Sequence, residues 1–154
     1  SWSALGAGVN GNVYALASDD AGNLYASGVF TMAGGAPANR IAMWNGISWS
    51  TLGTGLNNLA TTLVVDGAGN LYAGGNFSTA GGVAASYIAK WNGATWSALG
   101  SGVNSTVYAL AVDSTNHLYA GGFFTMAGGS PAKYIAQCYG TTWLPLGSGM
   151  QNAV

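Results

Sequence analysis

Trp2, Trp49, Trp96 and Trp143 stand 47 residues apart, and the alignment they set runs through the whole 154-residue chain without a gap. In that register Leu5, Leu52, Leu99 and Leu146 coincide, as do Gly6, Gly53, Gly100 and Gly147. The same offset superposes Leu16, Leu63 and Leu110, then Asp19, Asp66 and Asp113, then Phe30, Phe77 and Phe124. About twenty of the 47 positions are identical in all three full copies. Each copy therefore answers the same packing problem, and the fold of one is the fold of all.

Within a copy the apolar runs are short and separated by turn residues. Val13 to Ser18 reads as a first strand, Leu24 to Phe30 as a second, Arg40 to Trp44 as a third and the short Trp49 to Leu52 as a fourth. Between the first two lies Asp-x-x-Gly-Asn (Asp19 to Asn23, Asp66 to Asn70), where an Asx-type side-chain bond and a glycine with positive φ close a tight hairpin. Between the last two lies Asn-Gly (Asn45-Gly46, Asn92-Gly93), the dipeptide that a type I′ turn favours. No segment carries a helical period, so no helix is expected.

The first two strands are apolar on both faces, with Tyr14 and Leu16 pointing one way and Val13, Ala15 and Ala17 the other. A four-stranded antiparallel meander sealed on both sides and repeated without helices every 40 to 50 residues or so is the pattern of β-propeller blades around an axis. The expected fold is all-β: three propeller blades with strand sets at 13–52, 60–99 and 107–146, plus an extra outer strand. Residues 1–12 and 147–154 then belong to neighbouring blades of one array, 1–154.

The run from Leu71 to Asn104 (LYAGGNFSTAGG…IAKWNGATWSALGSGVN) resembles the kelch-like and delta-60-like propeller repeats of large bacterial surface and secreted proteins, and more distantly the blades of galactose oxidase. The run from Leu99 to Ala120 is similar to the blades of the tachylectin-2 type of sugar-binding propeller. These resemblances imply propeller architecture. They carry little about function, because the shared residues are turns and core.

Composition removes several functions. The chain has three basic residues (Arg40, Lys90, Lys133), four aspartates and no glutamate, a charged fraction of 5% against about 25% in ordinary domains. Three scattered cations do not displace enough counterions to hold nucleic acid. Gly, Asn and Ser interrupt every apolar stretch before it reaches the roughly 18 residues a spanning helix needs, so no membrane insertion is expected. Cys138 is the only cysteine and excludes an internal disulfide. A surface of Ser, Thr, Asn and Gly in place of Lys and Glu points to an extracellular or cell-surface protein.

Catalysis finds no constellation. Asp19, Asp66 and Asp113 occur one per copy at the same hairpin, which reads as turn capping, whereas glycoside cleavage needs two carboxylates within about 10 Å of each other. His117 and Cys138 replace a turn Asn and a Trp in one copy only, which reads as drift at tolerant positions. No enzyme, metal or cofactor is expected. For binding, the connections Gly6 to Asn12 and Thr31 to Ala38, with their copies, emerge at one end of the meander and form a shared rim. They carry Asn10, Asn57 and Asn104 with Thr31, Ser78 and Thr125, beside the variable position held by Arg40, Tyr87 and Tyr134, groups able to bind sugar hydroxyls without charge.

Three blades do not close a ring, since propellers take about 4 to 8, and open blade faces are large apolar patches. The expected partners are further blades of the same parent chain or identical copies packed head to tail, with glycans as a further partner of the rim. Thr142 to Val154 repeats Ser1 to Val13, the pattern of a segment cut from a longer array. The function expected from the sequence is a non-enzymatic structural or adhesive segment of a surface or secreted propeller; the second reading is a lectin-like module using the rim.

Overall fold

The computed structural model describes residues 1–153, and among them there is no helix. The first copy contains β1 (Val13–Ser18), β2 (Leu24–Gly28), β3 (Met32–Ala33), β4 (Ala36–Pro37), β5 (Ile41–Trp44) and β6 (Trp49–Thr51). The second contains β7 (Ala60–Val65), β8 (Leu71–Gly75), β9 (Thr79–Ala80), β10 (Val83–Ala84), β11 (Ile88–Trp91) and β12 (Trp96–Ala98). The third contains β13 (Val107–Val112), β14 (Leu118–Gly122), β15 (Met126–Ala127), β16 (Ser130–Pro131), β17 (Ile135–Tyr139) and β18 (Thr142–Pro145). Each copy is a four-stranded antiparallel meander, ordered β1-β2-β5-β6, β7-β8-β11-β12 and β13-β14-β17-β18. The three sheets are propeller-like blades, and each carries a two-stranded hairpin between its second and third strands.

Three local expectations are corrected. The second strand ends at Gly28 and not at Phe30, because no Cβ fits between Gly28 and the Asn12 carbonyl and Val29 N–H leaves the ladder to donate to that same carbonyl. The connection from Thr31 to Ala38 is structured, its centre paired as β3 with β4. The Asn45-Gly46 turn is not type I′, which needs positive φ at both central residues. Only Gly46 has it, while Asn45 Oδ1 instead accepts from the Ile47 and Ser48 amides at 2.9 and 2.8 Å. In the third copy Tyr139 stands for the Asn, and the hairpin tightens until Tyr139 pairs with Thr142.

The blades stack side by side, β1 against β7 and β7 against β13. Only the middle blade is covered on both sides. Leu63 of β7 is 8% exposed and its counterpart Leu16 of β1 is 59% exposed, a difference made by the neighbouring sheet. One core fills the first joint, with Tyr25, Ile41 and Leu52 facing Leu56, Leu63, Leu71 and Phe77. Another fills the second, with Tyr72, Ile88 and Leu99 facing Val103, Val107, Leu118 and Phe124. The extra outer strand expected at Trp2 to Leu5 is absent: those residues join no sheet, and Trp2 is fully exposed. A fourth strand forms only where a third strand lies beside it, and none lies there among the described residues.

One polar contact recurs in every repeat. The indole N–H of Trp49 donates to the Leu5 carbonyl, that of Trp96 to Leu52 and that of Trp143 to Leu99, each at 2.8 Å. The bond ties the outer strand of one blade to the chain leaving the previous one, and fixes the indole ring as a wedge at the wide outer edge. Trp96 is buried, so Trp96→Phe, which keeps an aromatic ring but removes the indole donor and leaves the Leu52 carbonyl with the Gly55 amide alone, is expected to cost about 0.5–1.5 kcal/mol for the lost hydrogen bond. Urea unfolding followed by tryptophan fluorescence measures it; an unchanged midpoint would show that the ring alone holds the joint.

Candidate functional site

The rim is built by hydrogen bonds between its two connections. Asn10 Oδ1 accepts from the Thr31 and Met32 amides, both at 2.9 Å, and Asn10 Nδ2 donates to Thr31 Oγ1 at 3.1 Å. Asn57 treats Ser78 and Thr79 in the same way, and Asn104 treats Thr125 and Met126. All six candidate polar residues are therefore brought together in pairs, and each pair is committed to holding its own hairpin. What remains for a ligand is one amide proton of each Asn and the hydroxyl proton of each Thr or Ser.

Arg40, Tyr87 and Tyr134 close the same loop: their amides donate to the carbonyls of Phe30, Phe77 and Phe124, next to Thr31, Ser78 and Thr125, and Tyr134 lines one groove with Thr125. Each packs across the joint against the segment leading into the next blade. Arg40 shares a groove with Thr54, Leu56 and Asn57, and its Nη1 donates to the Leu56 carbonyl at 3.3 Å. Tyr87 shares one with Ser101, Val103 and Asn104, and Tyr134 a groove of about 500 Å³ with Ser148, Met150 and Gln151. The groove thus recurs at repeat spacing. Residues 54–56, 101–103 and 148–150 and Gln151, all in copies of the Gly6 to Asn12 connection, belong to it, although no single residue among them stands out in the sequence. The signal for them lies in the register, which sets position 57 against position 40 of the preceding copy.

The backbone at this position is unusual. Arg40, Tyr87 and Tyr134 have φ of 62°, 65° and 65°, a region that bulky side chains avoid at a cost of about 1–3 kcal/mol. Two ladder-end bonds impose it: Arg40 N–H donates to the Phe30 carbonyl, and the Arg40 carbonyl accepts from Gly28. The side chain is turned outward over the joint as a result.

At the opposite end the aspartates organise the first hairpins. Asp19 Oδ1 accepts from the Asn23 amide, and Oδ2 from Asn23 Nδ2 and the Tyr25 hydroxyl; Asp66 repeats this with Asn70 and Tyr72. Burial pushes both carboxyls up, but the bonds from the Asn side chain and backbone, the Tyr hydroxyl and a further amide outweigh it and leave them below the usual carboxylate range. Asp113 is held lower still by the Thr115 hydroxyl and the His117 amide. His117 Nδ1, 3.2 Å from Asp113 Oδ2, stands where the Asn amide nitrogen stands in the other copies. Asp19, Asp20 and Asp66 line one shared groove, so neighbouring hairpins are closer than a one-per-blade reading implies.

Cys138 is buried and its thiol is pushed up to about 11 by that burial, which leaves little thiolate at neutral pH. Among the described residues no three His, Cys or Asp side chains gather as metal ligands, and no helix is long and apolar enough to cross a membrane. Fold and rim together define an all-β repeat array of propeller-like blades with a joint groove at each repeat. No family model matches the chain, and no curated protein matches it at significant similarity.

The depressed aspartates set a pH dependence. Their contribution is complete above the unfolded carboxylate pKa of about 3.9 and is lost as pH falls through the lower folded values, because the unfolded chain takes up protons first. Stability measured by urea unfolding is expected to drop between about pH 5 and pH 2. The triple change Asp19→Asn, Asp66→Asn, Asp113→Asn should flatten that drop; an equal slope in both proteins would assign acid sensitivity elsewhere.

Proposed function

We propose that this chain is a non-enzymatic structural segment of a β-propeller, acting through assembly with further blades, in a surface or secreted protein of the kelch-like kind. The observation that carries this reading is the pair of open end faces. On the first blade Val13 and Leu16 are 43% and 59% exposed, although their counterparts Ala60 and Leu63 are buried in the middle blade. Burying one such leucine contributes about 1.5–3 kcal/mol, and a face of this kind in water calls for a cover. The almost charge-free composition suits a crowded extracellular surface, where neither nucleic acid nor long-range charge is engaged.

Sedimentation of the purified chain tests it. Association above 15.4 kDa is expected to strengthen with concentration and to be lost in Leu16→Glu, which places an unpaired charge on the open face. A chain that stays at 15.4 kDa up to millimolar concentration and is unaffected by Leu16→Glu would refute the reading.

A lectin-like role of the rim is the second reading, favoured by the groove that recurs at each joint beneath an outward-turned Arg40, Tyr87 or Tyr134. Related sites at fixed spacing multiply avidity. Glycan-array binding lost in the double variant Tyr87→Asn, Tyr134→Asn would support it, because Asn accepts the same backbone conformation and leaves the clamps intact. A flat array with the unaltered chain would count against it.

A further inference from the structure

The unit Trp49–Asn57, like Trp96–Asn104, performs two sets of tasks. Its outer half closes its own blade, pairing β6 with β5 and β12 with β11. Its inner half serves the next blade: the Leu52 carbonyl receives the Trp96 indole, and Asn57 clamps the hairpin at Ser78. The chain carries this unit twice more, and each is half used. Trp2–Asn10 serves the blade that follows, through the Leu5 carbonyl and the Asn10 clamp, while its outer half is unpaired. Trp143–Gln151 closes the third blade through β18, and Met150 N–H donates to the Lys133 carbonyl, but among the described residues the Leu146 carbonyl receives no indole. The two are complementary halves of one joint.

They are not equal in quality. Trp2–Asn10 differs from Trp96–Asn104 only at Ala7, whereas Trp143–Gln151 differs at Leu144, Pro145, Met150 and Gln151. Leu144 exposes an apolar side chain where the interior copies have Ser50 and Ser97. Pro145 has no N–H to offer the ladder, and Gln151 is one methylene too long for the Asn clamp.

The inner strands complete the match. At the first joint Ser27 is buried and donates to the Ala60 carbonyl at 3.0 Å. At the second joint the larger Val107 requires glycine: a Cβ on Gly74 would lie 2.6 Å from Val107 Cγ1. The two open ends carry Gly121 and Val13, the Gly–Val combination again.

Resting on the assembly reading above, we propose that a second copy of this chain joins the third blade by segment exchange, its Trp2–Asn10 displacing Trp143–Gln151 from the outer edge and its Val13 seating over Gly121. The resident segment caps the edge until then. Two copies supply six blades, inside the range of about 4 to 8 that closes a ring.

In the joined state Ser3 of one copy lies opposite Gln137 of the other, as Ser97 lies opposite Lys90. Mixing Ser3→Cys chains with Gln137→Cys chains, both with Cys138→Ser, is expected to give a disulfide-linked pair under mild oxidation. Trp2→Ala should weaken association about tenfold or more, as loss of a buried Trp anchor does. The quadruple change Leu144→Ser, Pro145→Ala, Met150→Val, Gln151→Asn gives the resident segment the interior sequence; it should raise thermal stability and weaken association. Association without the cross-link, and unaltered by the quadruple change, would overturn the exchange while leaving blade stacking standing. Chains that remain single throughout would overturn both.

Discussion

The joint between blades is the constraint on which the rest depends. A single four-stranded meander of this composition has two apolar faces and almost no charge, so it has no stable existence in water except against a copy of itself. The indole bond from Trp96 or Trp143 to a leucine carbonyl one repeat back sets the outer edge of each joint, and Trp49 makes the same bond to the segment before the first blade. Small residues in the second strand set the inner edge, where Ala73 and Ala120 are buried and Gly74 leaves room for Val107. The first strands of neighbouring blades pack against one another, β1 on β7 and β7 on β13, while the indoles fill the space between the outer parts of the sheets. One such hydrogen bond is worth about 1 kcal/mol; its weight lies in aligning the apolar surfaces on either side.

The rim inherits its stiffness from that joint. The Asn clamps use most of the polar capacity of the residues that first suggest a binding surface. The groove that stays available is made by two consecutive repeats together, one supplying the outward-turned residue at position 40, 87 or 134 and the next supplying the loop beneath it. Binding at the rim and blade assembly are therefore coupled in geometry: a groove exists only where a following segment is seated.

Much of this was legible in the residues. The strand starts, the Asp19, Asp66 and Asp113 hairpins and the shared rim depend on contacts within one repeat, and a repeat read three times exposes them. The misreadings came from competition between local and longer-range bonds. Asn45-Gly46 favours a type I′ turn by itself, but the Asn45 side chain captures two amides and changes the turn. Leu24 to Phe30 has the pattern of one long strand, but the chain from Asn12 crosses at Gly28 and ends it. Position 40 does lie beside the loop at Thr31, but its side chain is turned across the joint by backbone bonds that no side chain reveals.

By itself the sequence determined the period, the four-stranded meander of each copy, the all-β class and the scarcity of charge, because these follow from residue types recurring at fixed spacing. Only the tertiary structure decided which polar groups are spent and which are free, and which of the repeated segments are fully used. Trp2 and Trp96 are the same residue in the same local sequence, yet one is fully exposed and the other buried. The difference is the presence of a third strand and a preceding blade beside it, and partners distant along the chain are visible only once the blades are stacked.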